Sequence, residues 1–248
     1  MINHRNRKFY VENRKVSGLE TVVHNTRAMA NPYKTQVGEF GIPITDEQYK
    51  ELRCYAVAHG IRITGFRNYV GDIETIKIII DDISEIARDF PKILDVRFGV
   101  VLELDFDMND DDFATTDSGH IIHLNATYFC RLDKLKETYA EAVKNGDFVA
   151  GTDWRGIGRH ETGHMVANFY HIDSLSLIMD MLNMKSKSEI FYRLGKELSI
   201  YSAAYNDGRE IISESFSGYY SKVGNSIADE FVNRCLAARK EGEQDEGL

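Results

Sequence analysis

The chain has 248 residues, 43% of them hydrophobic and 28% charged, with only three prolines. That balance is the balance of a globular protein with a substantial core, and it excludes a fibrous or wholly disordered chain. The formal charge of -9 argues against a general phosphate-binding surface, because nonspecific nucleic-acid affinity rests on clustered Lys and Arg, so no nucleic-acid partner is expected.

Residues 1–42 have weak periodicity and read as an N-terminal extension, with a basic arm of Arg5, Arg7, Lys8, Arg14 and Lys15 that reads as solvated terminus. A domain is expected over 43–240, followed by an acidic frayed tail over 241–248. Pro43 precedes a capping box from Thr45 to Gln48, after which Leu52, Tyr55, Ala56 and His59 recur at helical spacing up to Gly60. Ile61 to Val70 reads as a strand. Asp72 then caps a helix whose Ile73, Ile76, Ile80, Ile83, Ala87 and Phe90 form an apolar stripe closed by Pro91. Val96 to Asp105 has the composition of a buried strand, and a second short strand is expected at His120 to Leu124. The acidic loop between them opens like a calcium loop but has Asp110 where such a loop needs Gly and Thr116 where it needs Glu. Helices are expected at Asp133 to about Asn145, Trp154 to Tyr170, and about 174–183, 187–204, 209–222 and 226–240. Strands precede residue 154 and helices follow it, which makes the class α+β: a small mixed sheet, then a helical C-terminal subdomain.

Cys54, Cys130 and Cys235 are odd in number and show no CxxC spacing, which points away from a disulfide framework and from a thiolate metal site. No run reaches the roughly 18 apolar residues of a membrane span and no apolar signal stretch opens the chain, so a cytoplasmic location without a membrane partner is expected.

The chemistry concentrates in His160-Glu161-Thr162-Gly163-His164. Four residues is just over one helical turn, so His160 and His164 project from one face and present two imidazoles to one metal ion. Glu161, beside the first histidine, is placed to act as general base on a water at that metal. The bland reading is a surface helix whose histidines bind nothing; Ile157, Val166 and Phe169 argue for burial, and Gly163 for a close approach. A catalytic zinc site needs a third protein ligand. Two familiar ways of supplying it fail, because Ala167 and Tyr170 stand where the HExxHxxGxxH pattern needs Gly and His, with His171 one residue late, and Met184 stands where a close-spaced glutamate would fall. Downstream, Glu210 and Glu214 lie one turn apart on one helix face, so that one can ligate and the other can orient a histidine, and the residues alone leave the choice open.

HETGH at 160–164, followed by Ser213-Glu214-Ser215-Phe216, resembles the gluzincin metallopeptidases related to the anthrax lethal factor catalytic domain. The resemblance covers roughly residues 95–225, with serines where the family has alanines. It implies a zincin-like fold, a Zn2+ cofactor, a peptide or protein substrate, Glu214 as third ligand beside His160 and His164, and a tyrosine that stabilises the oxyanion. Tyr205 is the first choice for that tyrosine and Tyr201 the second. A zincin-like cleft also needs a strand edge for an extended peptide, and His120 to Asn125 is the expected strand. The expected activity is peptide-bond hydrolysis with Glu161 as base; the alternative is a zinc-stabilised structural or binding protein, phage- or toxin-associated, without turnover.

Overall fold

In the computed structural model, residues 40–94, 99–117, 120–205 and 208–245 are described, those after Arg239 as backbone only. The chain divides into two units, Met1–Glu39 and Phe40–Leu248. The basic arm and the expected extension up to Glu39 lie outside the described residues. The second unit starts a little before the expected boundary at Pro43, because Phe40 packs its ring edge-on against Phe106 at 5.9 Å.

The first helix, α1 (Asp46–Ala58), begins with the expected capping box: Gln48 N–H donates to Thr45 Oγ1 at 3.2 Å and Thr45 N–H to Gln48 Oε1 at 2.9 Å. Strand β1 (Ile61–Thr64) is shorter than the run to Val70 suggested. It stops at Gly65, which takes φ +78 in a place where a Cβ would lie 2.3 Å from Leu104 O, and a 3-10 turn at Phe66–Asn68 follows. Helix α2 (Ile73–Asp89) is capped by Asp72 and buries its isoleucine stripe, as its period required. Strand β2 (Val100–Asp105) alternates inward and outward, with Val100, Leu102 and Leu104 buried. The stretch 95–98 of the expected strand lies outside the described residues.

Strands β3 (Ala114–Thr116) and β4 (Ile121–Asn125) complete one four-stranded sheet of order β1-β2-β4-β3. β1, β2 and β4 are parallel, and β3 runs antiparallel to β4 on the edge. β3 was not foreseen in the sequence. Its presence makes β4 an interior strand, paired on both sides, so the strand expected to receive a peptide has no open edge. The acidic loop before β3 is held from within: Asn125 Nδ2 donates to Asn109 O at 2.8 Å and to Asp112 O at 2.7 Å.

The remaining chain is helical: α3 (Ala126–Phe129), α4 (Leu132–Lys144), α5 (Gly156–Phe169), α6 (Ser174–Leu182), α7 (Lys187–Glu197), α8 (Arg209–Tyr220) and α9 (Ser226–Asp245). Nine α-helices and one mixed sheet among the described residues give a mixed α/β architecture compatible with the α+β class. α7 ends well before the expected residue 204. Ile200 N–H and Tyr201 N–H donate to Gly146 O and Asp147 O at 2.8 and 3.1 Å, which draws the chain onto the end of α4 and into a 3-10 turn, Tyr201–Ala203. At the C-terminus, α9 continues to Asp245, so 241–245 of the expected frayed tail are helical. No helix of the described residues is long and apolar enough to cross a membrane.

Candidate metal centre

Helix α5, which carries the HETGH residues, is buried around nearly its whole circumference, from Gly156 through Gly163 and again at Met165 and Val166. Two devices hold it. On one side Asp82 of α2 accepts from Arg155 Nε and Nη2 at 3.0 and 2.5 Å and from Arg159 Nη2 at 2.8 Å, while Arg159 Nη1 donates to Ser221 Oγ at 2.7 Å. On the other, Gly163 lets α8 come so close that a Cβ there would lie 2.9 Å from Ser213 Cα.

That contact brings the acidic face of α8 opposite the two histidines. Glu210 Oε2 lies 3.2 Å from His160 Nε2 and 3.3 Å from His164 Nε2. It is buried, and it is aligned for a hydrogen bond with neither ring. Tetrahedral ligands about 2.0–2.1 Å from a zinc ion are separated by about 3.3 Å. Those two separations match that edge, all three atoms lie within 4.8 Å of one another, and they form the His/Cys/Asp/Glu group among the described residues that could hold a metal ion. The donor set therefore fits zinc: two neutral imidazoles and one carboxylate, with a fourth position left over.

Glu214, expected as the third ligand, sits elsewhere. Its Oε1 is 2.8 Å from His160 Nδ1, on the opposite edge of the imidazole from Nε2. A ring whose Nε2 converges with His164 and Glu210 turns Nδ1 away from them, so Glu214 lies outside the His160–His164–Glu210 group and Glu210, not Glu214, belongs to it. The second oxygen of Glu214, Oε2, is buried and has no hydrogen-bond partner among the described residues. His164 has an orienting partner too, Ser213 Oγ at 2.9 Å from Nδ1. Electrostatically the two carboxylates compete with burial. Burial disfavours ionisation of Glu210, but the two imidazoles outweigh it and hold its carboxyl well below the usual range. Burial likewise opposes a charge on His160, and Glu210 and Glu214 together raise its pKa well above the ordinary histidine value.

Glu161 is buried and takes no part in that triad. Its carboxylate Oε2 accepts from Thr116 Oγ1 at 2.7 Å, and its carbonyl oxygen lies 3.1 Å from the same hydroxyl. Of the two tyrosines, Tyr201 is the one against the site, its ring centroid 5.8 Å from that of His160. Tyr205 stands one ring further out, edge-on to Tyr201 at 6.0 Å and partly exposed. The break after α7 produces this order by turning Tyr201 inward. Burial and then the neighbouring Glu210 raise the Tyr201 pKa, which keeps the phenol protonated and able to donate.

His160, Glu161 and His164 are thus brought together as their spacing required, and Glu210 joins them. Thr116 and Ser213 went unrecognised as contacts of the site. Ser213 stands three residues after Glu210 and so on the same side of the helix, a usable signal; nothing in the sequence joins Thr116 to Glu161 across 45 residues. Comparison with protein-family models, with curated proteins and with solved structures finds no match to the chain.

Proposed function

We propose that the chain is a zinc-dependent peptidase whose catalytic unit is zincin-like, with His160, His164 and Glu210 as the metal ligands and Glu161 as the general base. The observation that carries the reading is the convergence of two Nε2 atoms and Glu210 Oε2 at 3.2 and 3.3 Å, with Glu161, buried on the same helix as the two histidines, left out of the group. A metal held for stability alone requires its ligands and the groups that orient them, and Glu161 is neither.

When bound, zinc would supply a Lewis acid for the scissile carbonyl and lower the pKa of a water in the fourth position. Glu161, with Oε2 held by Thr116, would accept a proton from an attacking water at Oε1 and pass it to the departing amine nitrogen. Glu214 and Ser213 fix the orientation of the two imidazoles through their Nδ1 atoms. Tyr201, in preference to Tyr205, is the phenol placed to donate to developing negative charge. An extended peptide would pair with the outer edge of β3, in place of the β4 edge expected from the sequence.

The test combines metal content with turnover of a diverse peptide library. Wild type and Glu161→Gln are expected to hold zinc equally while only wild type cleaves, and a chelator is expected to abolish cleavage. Glu210→Ala is expected to lose the metal, whereas Glu214→Ala keeps it with an affinity about 10- to 100-fold weaker. Full zinc retention in Glu210→Ala, or unchanged cleavage by Glu161→Gln, would overturn the assignment.

A further inference from the structure

We propose that Thr116 is a positioning residue that ties the strand edge receiving the peptide to the orientation of the base; the inference rests on the hydrolytic reading above.

β3 has β4 on one side and no strand on the other among the described residues. Asn125 N–H donates to Phe113 O and Asp117 N–H to Ile121 O, each at 3.0 Å, and Thr115 is paired with His123 between them. In an antiparallel ladder, residues whose main-chain groups bond inward alternate with residues whose groups face away. Residues 113, 115 and 117 are used by β4, so the N–H and C=O of Ala114 and Thr116 face the open edge. Thr116 therefore offers main-chain partners to an extended polypeptide at the position nearest Glu161.

Its side chain does a second job. The Thr116 hydroxyl has one proton and two acceptors in reach, Glu161 Oε2 at 2.7 Å and Glu161 O at 3.1 Å, and the shorter, charge-assisted bond to the carboxylate prevails. A β-branched residue in a strand has few χ1 options, so the hydroxyl is held in place by the backbone of β3. Glu161 by contrast has three side-chain torsions, and among the described residues Thr116 is the donor that fixes its carboxylate. With Oε2 held, Oε1 is the oxygen left to take a proton. A peptide that pairs with β3 and a base anchored to β3 share one reference frame.

The full-length chain is loaded with zinc as wild type, Thr116→Val, Thr116→Ser and Glu161→Gln. Thr116→Val is expected to bind zinc and keep KM for an extended peptide within about twofold of wild type, while kcat falls by about 10- to 100-fold. Thr116→Ser, which restores the hydroxyl, is expected to recover most of kcat. A second readout needs no turnover: with glutamate labelled at the side-chain carboxyl carbon, the NMR signal that vanishes in Glu161→Gln should move in Thr116→Val and return in Thr116→Ser. Wild-type kcat in the valine variant, an unmoved signal, or a serine variant as impaired as valine would overturn the role of Thr116. A wild-type chain that holds zinc and cleaves no peptide overturns the hydrolytic reading itself, and the coupling with it, however the signal moves.

Discussion

His160 shows how one ring is committed at both edges: Nε2 faces Glu210 at 3.2 Å and Nδ1 faces Glu214 at 2.8 Å. The same separation of roles could not be read from a sequence in which both glutamates occupy one helix face, because the axial offset between α5 and α8 decides which is level with the imidazoles. A second charged histidine pair lies on the outward face of the sheet, where His123 Nδ1 is 2.8 Å from Glu103 Oε2 and 3.8 Å from Asp105 Oδ2. The Glu103 carboxylate raises the His123 pKa above the ordinary 6.5, against the opposing effect of burial. In the unfolded chain His123 titrates near its ordinary value, so the ion pair contributes fully below about 6.5, down to the carboxylate range at about 4, and its contribution is lost as pH rises through the elevated native value. His123→Gln is expected to lower Tm more in mildly acidic buffer than in alkaline buffer. A melting series across pH checks the sign, and a penalty that grew with pH would rule out the ion pair as its source.

At the scale of elements, the site depends on how closely α5 and α8 approach at Gly163. A methyl group there would meet Ser213 Cα at 2.9 Å and Phe216 Cβ at 3.2 Å, and the first of these is backbone that cannot swing aside. Alanine favours a helix over glycine by up to about 1 kcal/mol, whereas forcing a carbon into a packed interior costs about 1–3 kcal/mol. The second effect wins here because the contact is with backbone. Gly163→Ala should therefore lower Tm despite its better propensity, and should weaken zinc binding by moving Ser213 and Glu210 away from the histidines. Differential scanning calorimetry with a zinc titration measures both, and a raised Tm would show that the helices have room. The elements themselves were largely legible: the Thr45 capping box, the isoleucine period of α2 and the HETGH turn each carry their own local signal. β3 was not, since three residues, Ala114–Thr116, are too few for an alternation to register. The break after α7 also escaped, because it is made by hydrogen bonds to Gly146 O and Asp147 O, far away in sequence. Both omissions fell on the site, hiding the open strand edge and the placing of Tyr201, rather than Tyr205, against His160.

Over the whole molecule, the motif helix is fixed by a buried charge cluster that joins three separated parts of the chain. Asp82 of α2 is 1% exposed and receives both Arg155 and Arg159 of the α5 start, and Arg159 passes a further bond to Ser221 just beyond α8. Two guanidinium groups share one carboxylate, so removing that carboxylate leaves Arg159 buried with no opposite charge beside it, whereas Arg155 is exposed enough to turn to water. Breaking a buried pair in this way costs about 3–5 kcal/mol. For a folded unit of this size that corresponds to a fall in Tm of roughly 10 °C. Asp82→Asn preserves the volume and tests the charge alone. His160 follows Arg159 directly and projects about 100° round α5 from it, so the variant should still take up zinc to the wild-type stoichiometry when the metal is saturating, but with a lower affinity because α5 is less firmly held. Replacing both members by apolar residues, Asp82→Leu with Arg159→Met, removes the orphaned charge and should recover much of the lost Tm. If Asp82→Asn melts with wild type, the charge of the cluster adds nothing to stability and the helix that carries the candidate metal site is held by apolar packing and neutral hydrogen bonds.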